Sequence, residues 1–315
     1  MMDASERELF ARSVGNAMAL DTGPALDAAL AALGWTDALD ADASTAVATL
    51  FDLQGRARVT SRALDDVLAR ALGADPGAGV VLPPLGAWSA PGAPAGGRIA
   101  ISGLGSPAIA ASPVAVVVAG DGDDAMAYLV PVGDLDVRHI EGVDPALGLV
   151  AVAGAGTPVG SFAVDWRAAV ALGQLALGHE LVGAARTMLE LAREHALQRV
   201  QFGRPIAMFQ AVRHRLAEAL VAIEAAEAVL AAAWEDGSAT SAAIAKASAG
   251  RAARTTSRHC QQVLAGIGFT TEHPFQAYAK RVLVLDQLLG SARGLTADLG
   301  RTLLAVRALP PLLPL

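Results

Sequence analysis

The stretch from Gln198 to Leu220, QRVQFGRPIAMFQAVRHRLAEAL, joins two long segments that both show the apolar periodicity of an α-helix. Upstream, residues 165–198 contain no proline and repeat apolar side chains at helical spacing. Gly203 and Pro205 interrupt this pattern, and it resumes from Ile206 with an apolar residue every three or four positions. This arrangement constrains the chain to fold as helices that pack side by side, with the stretch as the connection between two of them.

The connection is strongly basic, although the protein as a whole is acidic. Residues 193–215 contain five arginines and one glutamate, which gives a local charge of +4, whereas the whole chain carries −7. The arginines are Arg193, Arg199, Arg204, Arg213 and Arg215. Guanidinium groups present fixed donors that suit phosphate and pyrophosphate. The residues alone leave two interpretations open, a phosphate site and a solvated helix rim.

Composition and charge exclude several classes of protein. The chain has 315 residues, 53% of them hydrophobic and 17% charged, which is enough for a large core and two or three subdomains. A net charge of −7 without a broad basic face argues against nucleic-acid binding. Cys260 has no second cysteine to pair with, and the N-terminus lacks the pattern of a signal peptide. The charge-poor residues 76–120 contain seven prolines, so they predict no membrane-spanning helix, and a cytoplasmic location is expected.

The order of periodicities predicts a helical region, a small β-region and a helical bundle, with domains at 1–81, 82–163 and 164–315. Residues 4–74 predict four short helices. The predicted strands are residues 98–102, 114–119, 127–132, 135–140 and 148–153. The predicted bundle helices are residues 165–198, 206–235, 242–264, 274–289 and 291–306. The C-terminal PPLLPL is expected to be frayed.

Two short motifs suggest functions that their context argues against. GLGSPA, residues 103–108, matches a dinucleotide fingerprint, but Pro107 and the strand from Val114 leave no room for the required crossover helix. HELVG begins at His179 like a zinc motif, but Gly183 stands where the second histidine is needed. We therefore expect a turn at the first, no metal site at the second, and ordinary helix roles for His179 and Glu180.

Two segments together resemble the acyl-CoA dehydrogenase family. RVQFGRPIAMFQAVRHRLAE is similar to the family's R-x-x-F-G-x-P-I-x-x-F-Q signature, which opens a long helix of the C-terminal bundle. QQVLAGIGFTTEHPF, residues 261–275, resembles the family's Q-x-x-G-G-x-G-F-x-x-E-x-P segment and lies at about the expected distance downstream. The resemblance covers residues 165–290 and is much weaker before them. It implies a mainly α fold with a shortened N-terminal helical domain, a middle β-barrel or sandwich, and a C-terminal helical bundle.

The resemblance also implies which residues bind a cofactor. In the family, the matching residues contact the ADP part of an FAD that is bound mainly by the neighbouring subunit. Here they are Arg199, Phe202, Gln210, Gln262 and Gly266. Ala265 replaces a glycine that the family usually has, and the family's T-E-P-x-x-G-S-D-like flavin motif has no counterpart in PPLGAWSAPGAPAGGR. We therefore expect that this β-domain cannot hold the flavin ring alone.

The same comparison predicts that this chain has no catalytic base. The family uses a glutamate to remove the α-proton of the acyl-CoA while FAD takes the β-hydride. The two positions where relatives place this glutamate correspond here to Leu289 and Gly173, and neither can accept a proton. Glu272 and Asp286 are nearby carboxylates that the family aligns elsewhere, so we expect them on helix surfaces.

Taken together, the resemblance implies the short, non-catalytic β-type subunit of a heteromeric acyl-CoA dehydrogenase like those of actinobacterial sterol catabolism. The expected assembly is an α₂β₂ heterotetramer with FAD shared across the subunit interface, an acyl-CoA substrate, and electron-transfer flavoprotein as acceptor. A sterol-derived CoA ester is the expected kind of substrate. Two alternatives stay open. One is a self-sufficient homomeric enzyme with a relocated base, and the other is a flavin-free scaffold subunit.

Overall fold

Helices form the first part of the chain. The computed structural model describes residues 2–307, except the side chain of Asp123. The first five helices are α1 (Ala4–Leu20), α2 (Pro24–Ala32), α3 (Trp35–Ala41), α4 (Ala43–Ala57) and α5 (Ala63–Leu72). The prediction of four helices here was wrong, because Gly34 does more than end α2. Its left-handed backbone, at φ 73°, lets the chain restart at once as α3, which buries Trp35.

A mixed sheet forms the middle of the chain. Its strands are β1 (Gly79–Val80), β2 (Gly92–Ala95), β3 (Arg98–Gly105), β4 (Val114–Ala119), β5 (Met126–Pro131), β6 (Leu135–His139), β7 (Val150–Gly156) and β8 (Gly160–Ala163), with a short helix α6 (Ala108–Ala111) before β4. They pair in the order β6-β7-β3-β2-β4-β5-β8, and β1 pairs with β4 in parallel. The five predicted strands are confirmed. The three that were not predicted are two to four residues long, and two of them are rich in glycine and small residues.

The bundle follows the sheet, and all five of its predicted helices are confirmed. They are α7 (Trp166–Gln198), α8 (Gln210–Asp236), α9 (Ala239–Leu264), α10 (Phe275–Gln287) and α11 (Ala292–Val306), with a small hairpin of β9 (Val200–Gln201) and β10 (Arg204–Pro205) between α7 and α8. Side chains cap several of their N-termini: Asp165 accepts from Ala168 N, and Ser238 accepts from Ser241 N. The predicted frayed tail PPLLPL lies outside the described residues.

Helix α7 is the element against which the other parts of the fold pack. It contacts α4 and α5 of the first region and α8, α9 and α10 of the bundle. Two glycines allow its close approach to α4, because a Cβ at Gly55 or Gly183 would lie 2.1 Å from a backbone oxygen of the facing helix. Among the described residues, α7 alone is long and apolar enough to cross a membrane, but 78% of its apolar window is buried inside this fold. Its hydrophobicity is therefore explained as that of a core helix.

A fully buried arginine joins the three regions. Arg281 of α10 is 0% exposed. Its guanidinium donates to Asp144 of the loop before β7 and, at 2.9 Å, to the carbonyl of Val59 after α4. The carboxylate of Glu180 on α7 lies 3.7 Å from the same guanidinium and accepts from Gln54 Nε2 at 3.0 Å. Since a buried charge left without its partners is strongly destabilising, these contacts fix the regions relative to one another.

Glu180 does not have the ordinary helix role that the sequence predicted. Burial raises the pKa of its carboxyl to about 7, more than the nearby Arg281 charge lowers it. The carboxyl is therefore largely protonated at pH 6 in the folded chain and ionised in the unfolded chain. The neighbouring His179 has its pKa lowered to about 4 by burial and accepts a hydrogen bond from Trp234 Nε1 at 3.1 Å, so it is neutral.

We predict that Glu180→Gln reduces the pH dependence of stability. Because the folded-state pKa of Glu180 is raised, the folded chain holds a proton that the unfolded chain has lost, and stability falls as pH rises from about 4.5 to about 7. A shift of one pKa unit between the unfolded and folded states corresponds to about 1.4 kcal/mol in the free energy of unfolding. The amide keeps the hydrogen-bonding shape but cannot ionise. The difference in unfolding free energy between variant and parent, measured by urea titration from pH 5 to pH 8, should therefore shift in favour of the variant as pH rises. A constant difference would contradict the assignment.

Candidate functional site

The two sequence motifs lie at the same end of the bundle. Helices α7, α8 and α9 run antiparallel with short connections, so the end of α7, the start of α8 and the end of α9 are neighbours. Contacts confirm this placement: Arg215 Nη1 of α8 lies 3.4 Å from His259 Nδ1 of α9, and the rings of His195 and His273 lie 6.5 Å apart, edge to face. We call the predicted cofactor residues at this end the motif edge; they are Arg199, Phe202, Gln210, Gln262 and Gly266.

All five residues of the motif edge are exposed in the single chain. Phe202 has 90% of its surface in solvent. Within residues 2–307, no carboxylate lies within salt-bridge distance of Arg199 or of the other four arginines in the connection. All five arginines are exposed, and Arg215 also lies within hydrogen-bond distance of His259. The edge is therefore an exposed surface beside several arginines.

Phe202 occupies a backbone position that disfavours it. It forms the tip of the β9–β10 hairpin with Gly203, and Gln201 pairs with Arg204 across the turn. Both tip residues have positive φ, 54° and 76°, as a type I′ turn requires. Asparagine or glycine is the usual first residue of such a turn, and a bulky side chain there is strained by about 1–2 kcal/mol. Packing against the described residues does not explain the choice, because the ring is 90% exposed and lies edge to face with Phe209 at a centroid distance of 6.0 Å.

The two glycines of the second motif differ in what they do. A Cβ at Gly268 would lie 2.5 Å from Gln261 Nε2 and 3.0 Å from Leu264 Cβ, so a side chain there would require neighbouring residues to shift. A Cβ at Gly266 would meet no atom within 4 Å, and its φ is not in the left-handed range. Neither backbone geometry nor internal packing therefore explains the glycine at 266. Ala265, which replaces a family glycine, adopts φ 53° and ψ −131°, a conformation that ordinarily needs glycine.

The charge of the motif edge does not depend on protonating histidine. Burial lowers the pKa of His195, and the nearby His273 and Arg199 lower it further. His195 is therefore neutral at physiological pH, and arginines supply the positive charge. Arg204 is also held in place, with its guanidinium 4.5 Å above the centre of the Phe209 ring. An anion at this edge would meet guanidinium donors.

The structure brings together Leu289 and Gly173, the two residues at the family's base positions. A Cβ at Gly173 would lie 2.5 Å from Leu289 Cδ1 and 3.1 Å from Leu68 Cδ2. Leu289 is 1% exposed, with φ 53°, and its carbonyl accepts from Gln174 Nε2 at 2.9 Å. The two positions therefore lie against each other, and leucine side chains fill the space around them. Their correspondence to the family's base positions stays a prediction.

Buried charged side chains stabilise the loop that carries Leu289. Lys246 is 0% exposed and donates to the carbonyls of Asp286 at 3.0 Å and Gly290 at 3.2 Å. Burial lowers the pKa of this lysine to about 8. The expectation of Asp286 on a helix surface was wrong, because its carboxylate is 1% exposed and accepts from Ala292 N at 3.0 Å. Glu272 lies on an exposed turn before α10 rather than on a helix.

Sequence reasoning missed two buried carboxyls that line a small cavity. Glu180 and Asp65 both border a space of about 50 Å³ between α5, α7 and α10. Burial raises the pKa of Asp65 to about 6, against hydrogen bonds from Ser106 and Val80 N that lower it. Glu180 lies seven residues after Gly173, on the same face of α7, and this spacing was the signal available in the sequence. In the described chain, no group of three His, Cys, Asp or Glu side chains could hold a metal ion.

Comparison with known proteins identifies the bundle. A model of the acyl-CoA dehydrogenase C-terminal domain matches residues 166–304. This part of the chain is similar to the acyl-CoA dehydrogenase C-terminal domain. Acyl-CoA dehydrogenase IpdE2 of Mycobacterium tuberculosis is 44% identical over 117 residues, which are 37% of this chain and 37% of that protein. Acyl-CoA dehydrogenase FadE34 of the same organism is 36% identical over 163 residues, 50% of this chain and 23% of that one. These matches span well under half the length of either relative.

Solved structures extend the similarity to the whole fold. The "Tcur3481-Tcur3483 steroid ACAD G363A variant" superposes with a TM-score of 0.77, at 22% identity, over 96% of each chain. A chain of the ChsE4-ChsE5 complex from Mycobacterium tuberculosis gives a TM-score of 0.71 at 21% identity, over 97% of this chain and 89% of that one. The predicted fold class is confirmed: helices, a middle sheet and a C-terminal bundle, in the arrangement of these solved structures.

We predict that Phe202→Asn raises stability while it lowers retention of FAD in the assembled protein. Asparagine suits the positive φ at the hairpin tip, so the unfolding free energy should rise by roughly 0.5–1 kcal/mol. The same change removes a ring that can pack against adenine or ribose. The measurements are urea denaturation of the isolated chain and flavin absorbance after gel filtration of the assembly. Loss of stability, or unchanged flavin content, would contradict the role given to Phe202.

Proposed function

We propose that this chain is a subunit of a heteromeric FAD-dependent acyl-CoA dehydrogenase that catalyses α,β-dehydrogenation of an acyl-CoA thioester. In this proposal the chain contributes the ADP-side contacts of an FAD shared across the interface. The partner subunit contributes the flavin-ring contacts and the catalytic base. The assembly is an α₂β₂ heterotetramer in the cytoplasm, and this chain is inactive alone. The observation that carries the proposal is the motif edge, which is complete in its residues and exposed on a single chain.

The residues of the motif edge fit the ADP half of FAD. Arg199 can donate two parallel hydrogen bonds to a diphosphate, and Gln210 and Gln262 can both donate and accept. Gly266 leaves backbone open to close approach, which nothing in this chain uses. FAD, when bound, supplies the acceptor for the hydride that leaves the β-carbon. The strained Phe202, the exposed arginines and Gly266 lie at one end of the bundle. Their proximity supports the proposal that a ligand and a second chain complete this surface.

The absence of a base within this chain supports assigning catalysis to the partner. Leu289 and Gly173 face each other across a space filled by leucines, so a proton acceptor is missing at both family positions. A carboxylate placed there would be desolvated without a hydrogen-bond partner, which is strongly unfavourable. Deprotonation of the acyl group would then depend on a carboxylate from the other subunit.

The relatives suggest the substrate class and the partners. Two of the similar structures are a steroid acyl-CoA dehydrogenase and the two-protein complex ChsE4-ChsE5. We propose by analogy a sterol-derived ring or side-chain CoA ester as substrate and a catalytic acyl-CoA dehydrogenase subunit as partner. Electron-transfer flavoprotein is the proposed acceptor.

A self-sufficient homomeric enzyme is the second candidate, and one observation favours it. Glu180 has a pKa of about 7, which suits a general base, and one of its oxygens lacks a hydrogen-bond partner among the described residues. The adjoining cavity holds only about 50 Å³, far less than an acyl chain needs. Glu180 is also committed to Gln54 and Arg281. These contacts favour the structural role.

We predict that Arg199→Ala lowers FAD retention in the assembled complex without destabilising the isolated chain. The side chain is exposed and has no carboxylate partner in the described structure. Its removal should therefore leave the unfolding free energy within about 0.5 kcal/mol of the parent's. Loss of a charge-assisted hydrogen bond to the diphosphate should weaken FAD binding about tenfold or more. Flavin content is measured after gel filtration at a fixed dilution.

Arg12→Ala is the matched control for this experiment, because Arg12 is an exposed arginine on α1, far from the motif edge in sequence. It should retain FAD like the parent. Equal flavin occupancy in all three proteins would reject the cofactor contact, and equal loss in both variants would show a general charge effect instead.

We predict that no carboxylate of this chain is needed for turnover by the complex. Glu272→Gln changes an exposed turn and Glu180→Gln preserves the shape of the buried network, so both should keep dye reduction with a saturating acyl-CoA within a few-fold of the parent. Removing the partner's base should lower the rate by about 10²–10⁴. A loss of that size from either variant here, with flavin still bound, would make this chain catalytic and support the homomeric alternative.

A further inference from the structure

The side chain of Trp88 packs against the loop that carries Leu289. Trp88 lies between β1 and β2, in the segment where the sequence has no counterpart of the family's flavin motif. A Cβ at Gly290 would lie 3.0 Å from Trp88 Cε3, and a Cβ at Gly294 would lie 3.4 Å from Trp88 Cζ3. The indole therefore fills the space beside this loop and the first turn of α11.

The indole is held at this place from both ends. The backbone carbonyl of Trp88 accepts from Trp166 Nε1 at the start of α7, at 3.1 Å. The ring is half-buried and packs against the main apolar cluster of the fold. Gly294 leaves room for it, although its φ is ordinary and glycine lowers the stability of a helix. A side chain at 294 would crowd the indole, and its Cβ would also lie 3.2 Å from Ser291 Oγ.

The indole also borders a cavity of about 450 Å³ between α7, α9 and α11. Gln174 lines the same cavity, and its amide donates to the carbonyl of Leu289 at 2.9 Å, so the cavity comes close to the loop. Leu289 and Gly290 do not line the cavity, whereas Trp88 lines it and contacts Gly290. Trp88 thus separates the cavity from the loop.

The chemistry of dehydrogenation gives this position its meaning. The α-proton and the β-hydride leave neighbouring carbons, so the base and the flavin ring must flank one carbon–carbon bond. Reacting atoms lie about 3–3.5 Å apart when they react. If positions 289 and 173 are those of a base, as the sequence predicts, a ring held by this chain alone would need the space beside the loop. The indole fills that space.

We propose that Trp88 closes this chain's own place for a flavin ring. The chain then cannot hold the ring by itself, and FAD is shared only with its ring on the partner subunit. This inference rests on the proposed function and gives it a physical cause, because a closed site limits each pair of unlike subunits to one FAD. An indole suits this role, since it is large and rigid and has only two side-chain torsions to fix.

Equilibrium dialysis of the isolated full-length chain against riboflavin tests the proposal. Riboflavin carries the flavin ring without the ADP half, so its binding reports the ring site and not the motif edge. Trp88→Ala should bind riboflavin saturably and at least about tenfold more tightly than the parent, because the space of the indole joins the cavity. Its melting temperature should fall, since aromatic contacts are lost, while its circular dichroism spectrum stays that of the parent.

Two matched variants make the result specific. Trp234→Ala removes another half-buried tryptophan, which bonds to His179 and does not line the cavity, and it should bind riboflavin like the parent. The double variant Trp88→Ala/Gly294→Leu refills the space and should lose the gain. The proposal is overturned if Trp88→Ala binds riboflavin no better than the parent, if Trp234→Ala gains as much, or if the double variant keeps the gain.

Trp88→Val repeats the test if Trp88→Ala does not fold. The subunit role is tested separately, by the flavin content of the complex with Arg199→Ala, so the proposed function and the role of Trp88 can fail independently.

Discussion

The buried guanidinium of Arg281 is the contact on which the arrangement of the chain depends. It lies where the first helices, the sheet and the bundle meet, and its partners come from all three: the carbonyl of Val59, the carboxylate of Asp144, and Glu180 on α7. Burying this charge is unfavourable unless every partner is in place. Any displacement of one region would leave the charge unpaired. The network therefore specifies one relative position of the three regions, which apolar packing alone would specify less tightly.

This rigid interior contrasts with the motif edge at the far end of α7. Inside, even an unusual group such as Lys246 has its hydrogen bonds to carbonyls, and the loop that carries Leu289 is held by them. At the edge, Phe202 is strained and exposed, Ala265 adopts a glycine conformation, and Gly266 has no internal reason to be glycine. Strain and unused donors persist where function requires them. The contrast supports the proposal that an FAD and a second subunit cover this edge.

The sequence predicted the bundle well because its helices are long, strongly periodic and separated by Gly, Pro and Ser at their ends. It predicted five strands for the same reason. It missed α3, because a single left-handed Gly34 separates two helices without a loop, and it missed β1, β2 and β8, because they are too short or too rich in small residues for a period to show. The motif residues could be named from resemblance. The roles of Glu180, Asp286 and Lys246 could not, since they depend on burial by segments distant in sequence.

The domain boundaries at 81/82 and 163/164 stay predictions, because one core cluster includes residues from all three regions.

We propose that this chain supplies one side of an FAD site and that a second kind of chain supplies the other. Native mass spectrometry of the chain, alone and after co-expression with neighbouring reading frames, measures this directly through mass and bound flavin. The account predicts no FAD on the isolated chain and one FAD for each pair of unlike subunits in an α₂β₂ assembly. An isolated chain that forms a homo-oligomer with one FAD per subunit would contradict it.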